Sequence, residues 1–146
     1  MNGFLAIAEI LQYVPTPLGR VLRAAFYRVT LEQVGKGVQF HLGSIVTDRR
    51  ACIGAASRIG PGCSVGYAKI GARVLFAQSI HVLSGRHQHT KGLELKCVHI
   101  GDDCWIGAGA VIMGSVGDSS IVGAGAVVTK DYGSNQTIVG NPARPK

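Results

Sequence analysis

The sequence predicts an all-β fold: a coil of short parallel strands, preceded by a short helical region and interrupted by one inserted loop. Three observations carry this prediction. From Val34 onwards an aliphatic residue followed by glycine returns every six residues, as in Ile53-Gly54, Ile59-Gly60, Ile100-Gly101 and Ile106-Gly107. A small residue returns four places after the aliphatic one, at Ser57, Cys63, Cys104, Ala110 and Ala126. The beat stops once, between Leu83 and Val98, where histidines and basic residues take over. A period of six is neither that of an amphipathic helix nor that of a half-buried strand. It describes a coil with flat sides. Each hexad is one side, its aliphatic residue points inward, the small residue shares the interior, and glycine relieves the corner. Three sides make a coil of about 18 residues, and successive coils stack as parallel strands about 4.8 Å apart.

Residues 1–33 are of another kind. Phe4, Leu5, Ile7, Ala8 and Leu11 fall at helical spacing until Pro15 and Pro17 break the run. A second helix is expected over about Leu18 to Leu31, with Leu22, Ala25, Phe26 and Val29 on one face and Arg20, Arg23 and Arg28 elsewhere. Neither run is long or apolar enough to span a bilayer. These helices are read as a cap over the open end of the coil, because repeat domains need capped ends. The sharper alternative is a basic amphipathic segment that makes peripheral contact with a membrane. Residues 34–146 then form the β-helix domain. Its beat starts loosely at Val34-Gly-Lys-Gly-Val38 and is firm from Ile53 to Val65. After one short rung it resumes at Ile70 and Phe76. Beyond the loop, residues 84–97, it returns at Ile100, Ile106 and Ile112, steps short at Gly114-Ser115, and runs on through Val116, Val122 and Val128.

Composition sets limits on partners. Fifteen Lys and Arg against 8 Asp and Glu give a net charge of +7, which favours a polyanionic partner such as cofactor phosphates or an anionic surface. The basic residues are scattered, with no basic helix and no interleaved aromatics, which argues against nucleic acid. Cys52, Cys63, Cys97 and Cys104 show neither a CxxC pair nor metal-ligand spacing. Cys63 and Cys104 occupy the small slot of their hexads, so buried packing explains them. With no secretory signal in view, a reducing cytoplasm is expected, and the sequon at Asn135 carries no weight. The Gly-Ala-Gly-Ala stretches at 107–110 and 123–126 belong to the hexads. They lack the third glycine and the strand-to-helix setting of a dinucleotide fingerprint.

The chemistry is expected in the polar stretch Ser84-Gly-Arg-His-Gln-His89, since loops on a rigid scaffold carry function disproportionately. His87 and His89 form a His-x-His pair, which on an extended segment puts both rings on one side. Glu94 is the one carboxylate of the loop and could orient a histidine there. His81 and His99 lie 18 residues apart, but the loop falls between them, so they are expected on different sides and no zinc site is predicted. Trp105 should point outward, either to a subunit interface or to a cofactor groove.

Three longer stretches narrow the reading: Ile100-Gly-Asp-Asp-Cys-Trp-Ile-Gly107, Val122-Gly-Ala-Gly-Ala-Val-Val-Thr-Lys-Asp131 and Val139-Gly-Asn-Pro-Ala-Arg144. With the hexads and the loop, they resemble the hexapeptide-repeat acyltransferases, whose fold is a left-handed parallel β-helix. The succession is similar to the maltose and galactoside O-acetyltransferases and to the acetyltransferases of surface-polysaccharide synthesis. That resemblance implies a homotrimer with acetyl-CoA, the acyl donor, in the groove between neighbouring β-helices. It implies His87 as catalytic base, with His89 as its rival. Ala108, Ala124, Thr129, Lys130 and Arg144 match the family's CoA-contacting positions. The implied reaction is direct acetyl transfer to a hydroxyl of a sugar or saccharide precursor, in the cytoplasm or at the inner face of its membrane. Two readings stand beside it: a non-catalytic hexapeptide scaffold, and a zinc-dependent enzyme resembling the carbonic anhydrases of this fold.

Overall fold

The structure is a computed structural model that describes residues 3–88 and 92–146, apart from the side chains of 86–88 and 92–94. Two helices lead in: α1 (Gly3–Gln12) and α2 (Thr16–Thr30). Pro15 ends the turn between them in an extended conformation, and Pro17 sits in the first turn of α2, where its missing N–H is not needed.

The buried face of α2 is not the one its aliphatic spacing predicts. Gly19, Arg23 and Tyr27 face inward, whereas Leu22, Ala25 and Val29 face solvent. The reason is a set of acceptors that no local pattern reveals. Arg23 is 1% exposed, and its guanidinium donates to the carbonyls of Phe40 (3.1 Å), Leu11 (2.9 Å) and Val14 (2.9 Å). The Tyr27 hydroxyl accepts the Val46 N–H at 3.0 Å, and its ring packs 4.7 Å from that of Phe40. Gly19 is required because a Cβ there would run into the carbonyl of Val14.

The remaining chain winds into a left-handed parallel β-helix of about five turns with three faces. Face A stacks β1 (Gln33–Val34), β4 (Cys52–Ile53), β7 (Ala68–Ile70) and β12 (Val98–Ile100). Face B stacks β2 (Gln39–Phe40), β5 (Arg58–Ile59), β8 (Leu75–Phe76), β13 (Trp105–Ile106), β15 (Ile121–Val122) and β17 (Thr137–Val139), and an antiparallel β18 (Arg144–Pro145) closes it. Face C stacks β3 (Ile45–Val46), β6 (Ser64–Val65), β9 (His81–Val82), β14 (Val111–Ile112) and β16 (Val127–Val128). Between β9 and β12 the chain leaves the coil as a hairpin of β10 (Gly85–Gln88) and β11 (Gly92–Leu95).

The inward column is the predicted one. Ile53, Ile59, Val65, Ile106, Ile112, Val122 and Val128 are fully buried, and the small slots Cys63, Cys104, Ala110 and Ala126 lie between them. Burial pushes the Cys63 and Cys104 thiols up, and their Sγ atoms lie 3.1 Å from the carbonyls of Ala77 and Gly117 respectively. Glycine acts at the corners in two ways. Directly after the aliphatic residue it makes room, since a Cβ on Gly60 would strike the carbonyl of Ala77 in the next coil. Two residues later the chain turns left-handed; Gly62 does this with φ of +68°, but Arg73 and Asp103 do it as well, with φ of +55° and +58°.

Candidate active site

The edge where face C passes to face A organises the polar residues. In the third turn this edge opens into the hairpin, where the sequence predicts only a loop. The hairpin foot is fastened twice: the Lys96 N–H donates to the Ser84 carbonyl at 2.6 Å, and the Ser84 hydroxyl accepts the Tyr67 N–H at 2.9 Å. Backbone register pairs Gly85 with Leu95, Arg86 with Glu94, and His87 with Leu93. His87 therefore lies on β10, and Glu94 is the cross-strand partner of Arg86 rather than of His87. His89 lies outside the described residues.

The same edge in the following turns is Met113–Ser115 and then Thr129–Asp131. Gly114 allows the two to stack, because a Cβ there would overlap the Lys130 carbonyl. The Asp131 carboxylate accepts the Ser115 N–H at 2.8 Å and stands 3.2 Å from Lys96 Nζ at the hairpin foot. The Ser115 N–H, and after it the Lys96 ammonium, hold that carboxyl below the usual carboxylate range. The Ser115 hydroxyl accepts the His99 N–H at 3.0 Å. Lys130 is exposed, its Nζ 5.7 Å from the centre of the Tyr132 ring, and the Tyr132 hydroxyl donates to the Ala143 carbonyl at 2.6 Å. Thr129 and Lys130 thus share an edge with the hairpin that carries His87.

Ala108 and Ala124 stack on another edge, where face B passes to face C: the Gly125 N–H donates to the Ala108 carbonyl at 2.8 Å. Gly109 and Gly125 follow them with φ of +70° and +68°, and a Cβ on either would meet open space. Arg144 belongs to this second edge. It pairs with Val139, and the Ala143 N–H beside it donates to the Val127 carbonyl at 2.9 Å. The backbones of Lys130 and Arg144 lie at the two edges of face C, and the Arg144 guanidinium donates to the Ala143 carbonyl at 2.8 Å, the same carbonyl that accepts the Tyr132 hydroxyl.

Face C between these edges presents Val111 and Val127, paired in register and half-buried. Trp105 points outward as predicted, 50% exposed, in a face B column with Arg58, Leu75 and Ile121. It lines a hollow of about 450 Å³ shared with Ala108 and Leu75. His81 lies on face C and His99 on face A, on different sides as predicted. Among the described residues no three His, Cys, Asp or Glu side chains gather where they could hold a metal ion.

The sequence reading misses Lys96, Asp131 and Gly114. Ser115 and Asp131 are 16 residues apart, one shortened turn, so the short step at Gly114-Ser115 is the available signal that these residues stack.

Residues 97–130 match the family described as the hexapeptide repeat of succinyl-transferase. A Dictyostelium discoideum protein named for an acetyltransferase activity is 48% identical over 83 residues, 51% of this chain and 44% of its own length. The chain therefore spans under half of that relative. A hexapeptide-repeat acetyltransferase of Vibrio cholerae O1 biovar eltor, solved with acetyl-CoA, superposes with a TM-score of 0.83 at 22% identity, over 97% of this chain and 85% of the other. A maltose O-acetyltransferase of Clostridium difficile 630 gives 0.75 at 23% identity, over 100% and 88%. At these identities the structural likeness is one of fold.

Proposed function

We propose, from the premise of a hexapeptide-repeat left-handed β-helix, that this chain is an acetyl-CoA-dependent O-acetyltransferase acting on a hydroxyl of a sugar or saccharide precursor. One observation carries the reading: the inserted hairpin bearing His87 rises from the same edge as Thr129 and Lys130, and Asp131 ties the two together. The acetyltransferases of this fold named above support it.

The residues suit the donor. Lys130 and Arg144 supply exposed cations for the phosphates of CoA. The turns at Ala108 and Ala124, with open space beside Gly109 and Gly125, leave room for a pantetheine arm, and Val111 and Val127 give it an apolar floor. Because the two groups flank face C, a homotrimer supplies a natural arrangement: a groove between neighbouring copies takes one edge from each.

In the reaction the acceptor hydroxyl oxygen attacks the thioester carbonyl while His87 takes the hydroxyl proton. The tetrahedral intermediate collapses, the carbon–sulfur bond breaks, and the proton passes to the departing thiolate. The products are the acetyl ester and free CoA, with no acyl-enzyme. General-base help of this kind is worth about 10²–10⁴-fold.

The test is thiol release from acetyl-CoA with a panel of saccharide acceptors. Acceptor-dependent thiol release supports the reading. Tight zinc binding with no thiol release from any acceptor, or CoA binding without turnover, contradicts it in favour of the zinc enzyme or the scaffold.

A further inference from the structure

Helix α2 is built the wrong way round for a soluble amphipathic helix. Its inward face carries glycine, arginine and tyrosine, and its aliphatic residues point out. Leu18, Val21, Leu22, Ala25 and Val29 recur at spacings of three and four, and so form one continuous stripe. Leu18 is 62% exposed, Val21 63%, Leu22 39% and Val29 80%. At 1.5 Å per residue the stripe runs about 16 Å along the helix. In α1, Ile10 and Tyr13 just beyond its end are also exposed, at 69% and 71%.

Cations predominate along the helix itself, and the exposed carboxylates nearby, Glu9 and Glu32, lie on α1 and just past the end of α2. Helix α2 contains no acidic residue. Arg28 lies on the rim of the stripe, three residues after Ala25 and seven after Val21. Arg49, also exposed, reaches the same end of the helix, where its Nε donates to the Thr30 carbonyl at 3.1 Å. The inversion is locked by the Arg23 and Tyr27 hydrogen bonds, so the helix cannot rotate to hide the stripe without breaking them. No helix of the described residues is long and apolar enough to cross a membrane.

We infer that the outward stripe of α2, with Arg28 and Arg49 at its C-terminal end, docks on an anionic lipid bilayer. The helix lies in the plane of the interface, with the aliphatic side chains among the acyl chains and the two guanidiniums on headgroup phosphates. The β-helix then stands on the membrane by its N-terminal end.

The experiment is flotation of the full chain with vesicles of phosphatidylcholine alone, or with added phosphatidylglycerol, at low and high salt. The wild-type chain is expected to float with anionic vesicles, roughly tenfold less with neutral ones, and less again as salt screens the arginines. Val21→Glu/Val29→Glu changes only exposed side chains, so a circular-dichroism melt should be unaltered while flotation is lost. Arg28→Glu should weaken flotation several-fold. A wild-type chain that stays at the bottom of the gradient with anionic vesicles overturns the inference, as does a double variant that floats like wild type. So does a double variant whose sedimentation mass falls while neither protein floats; the stripe would then be a contact between copies.

Discussion

Lys96 Nζ stands 3.2 Å from the Asp131 carboxylate, which joins the foot of the inserted hairpin to the turn that carries Lys130, and the same carboxylate accepts the Ser115 N–H at 2.8 Å. Both ends of the pair are solvent-exposed, so its contribution to global stability is at most about 1 kcal/mol. Its effect is on position. Lys96→Ala should leave the thermal midpoint within a few degrees of wild type and lower kcat several-fold with little change in the KM for acetyl-CoA. Asp131→Ala also frees the Ser115 N–H and should cost more in kcat. Steady-state kinetics with a fluorescence-monitored melt separates the two effects.

Gly114 and Gly125 make a matched pair for the corner geometry. A methyl group at 114 meets the Lys130 backbone, which cannot move away; at 125 it meets open space and only the positive φ opposes it. Gly114→Ala is expected to destabilise by about 3 kcal/mol or more, and Gly125→Ala by about 1 kcal/mol. Urea titrations of the two variants check the difference. Equal costs would mean that the corner relaxes.

How far these features were legible in the sequence differs by element. The β-helix could be read because each hexad repeats its own reason: an inward aliphatic residue, then a glycine with the next coil against it. The hairpin could not, because its pairing of Arg86 with Glu94 follows no hexad and no turn signal fixes the register. Helix α2 misled for a physical reason. Its aliphatic spacing is a true amphipathic pattern, but the carbonyls of Leu11, Val14 and Phe40 offered Arg23 a better inside than the stripe could. At the site, the family resemblance marks Lys130 and Arg144 equally. Only the course of the chain separates them to two edges of face C.

Arg23 supplies a direct test of that inverted helix. Arg23→Met keeps the aliphatic stem and leaves three carbonyls without their donor, so a loss of about 3 kcal/mol is expected. Tyr27→Phe removes one acceptor and should cost about 1–2 kcal/mol. A neutral Arg23→Met in chemical denaturation would mean that the guanidinium does not hold the helices.

His41 gives stability a pH dependence. Burial, and then the Arg58 guanidinium whose Nε donates to His41 Nε2 at 2.9 Å, hold its pKa below the ordinary 6.5, with Arg20 and Arg23 acting the same way. The unfolded chain therefore takes up this proton first as pH falls. The contribution is fully present above pH 6.5 and is lost as pH drops through the lower folded value. His41→Gln keeps an acceptor for Arg58 and should flatten the fall in urea midpoint between about pH 7 and pH 5. An unchanged slope in that variant would assign the pH dependence to other groups.

The two-edge arrangement predicts complementation between copies. Lys130→Glu and Arg144→Glu should each bind CoA poorly alone. In the homotrimer proposed above, where a groove would draw one edge from each of two neighbours, mixtures refolded from both should recover up to about a quarter of the wild-type sites. Titration calorimetry of the mixture counts those sites. No recovery would mean that one chain supplies both residues to each cofactor.

The proposed role of His87 is to take the proton of the acceptor hydroxyl, and thiol release by His87→Ala measures it. The expected kcat is lower by about 10²–10⁴-fold, with affinity for CoA kept within about twofold and His89→Ala close to wild type. A His87→Ala protein that turns over at the wild-type rate would contradict it.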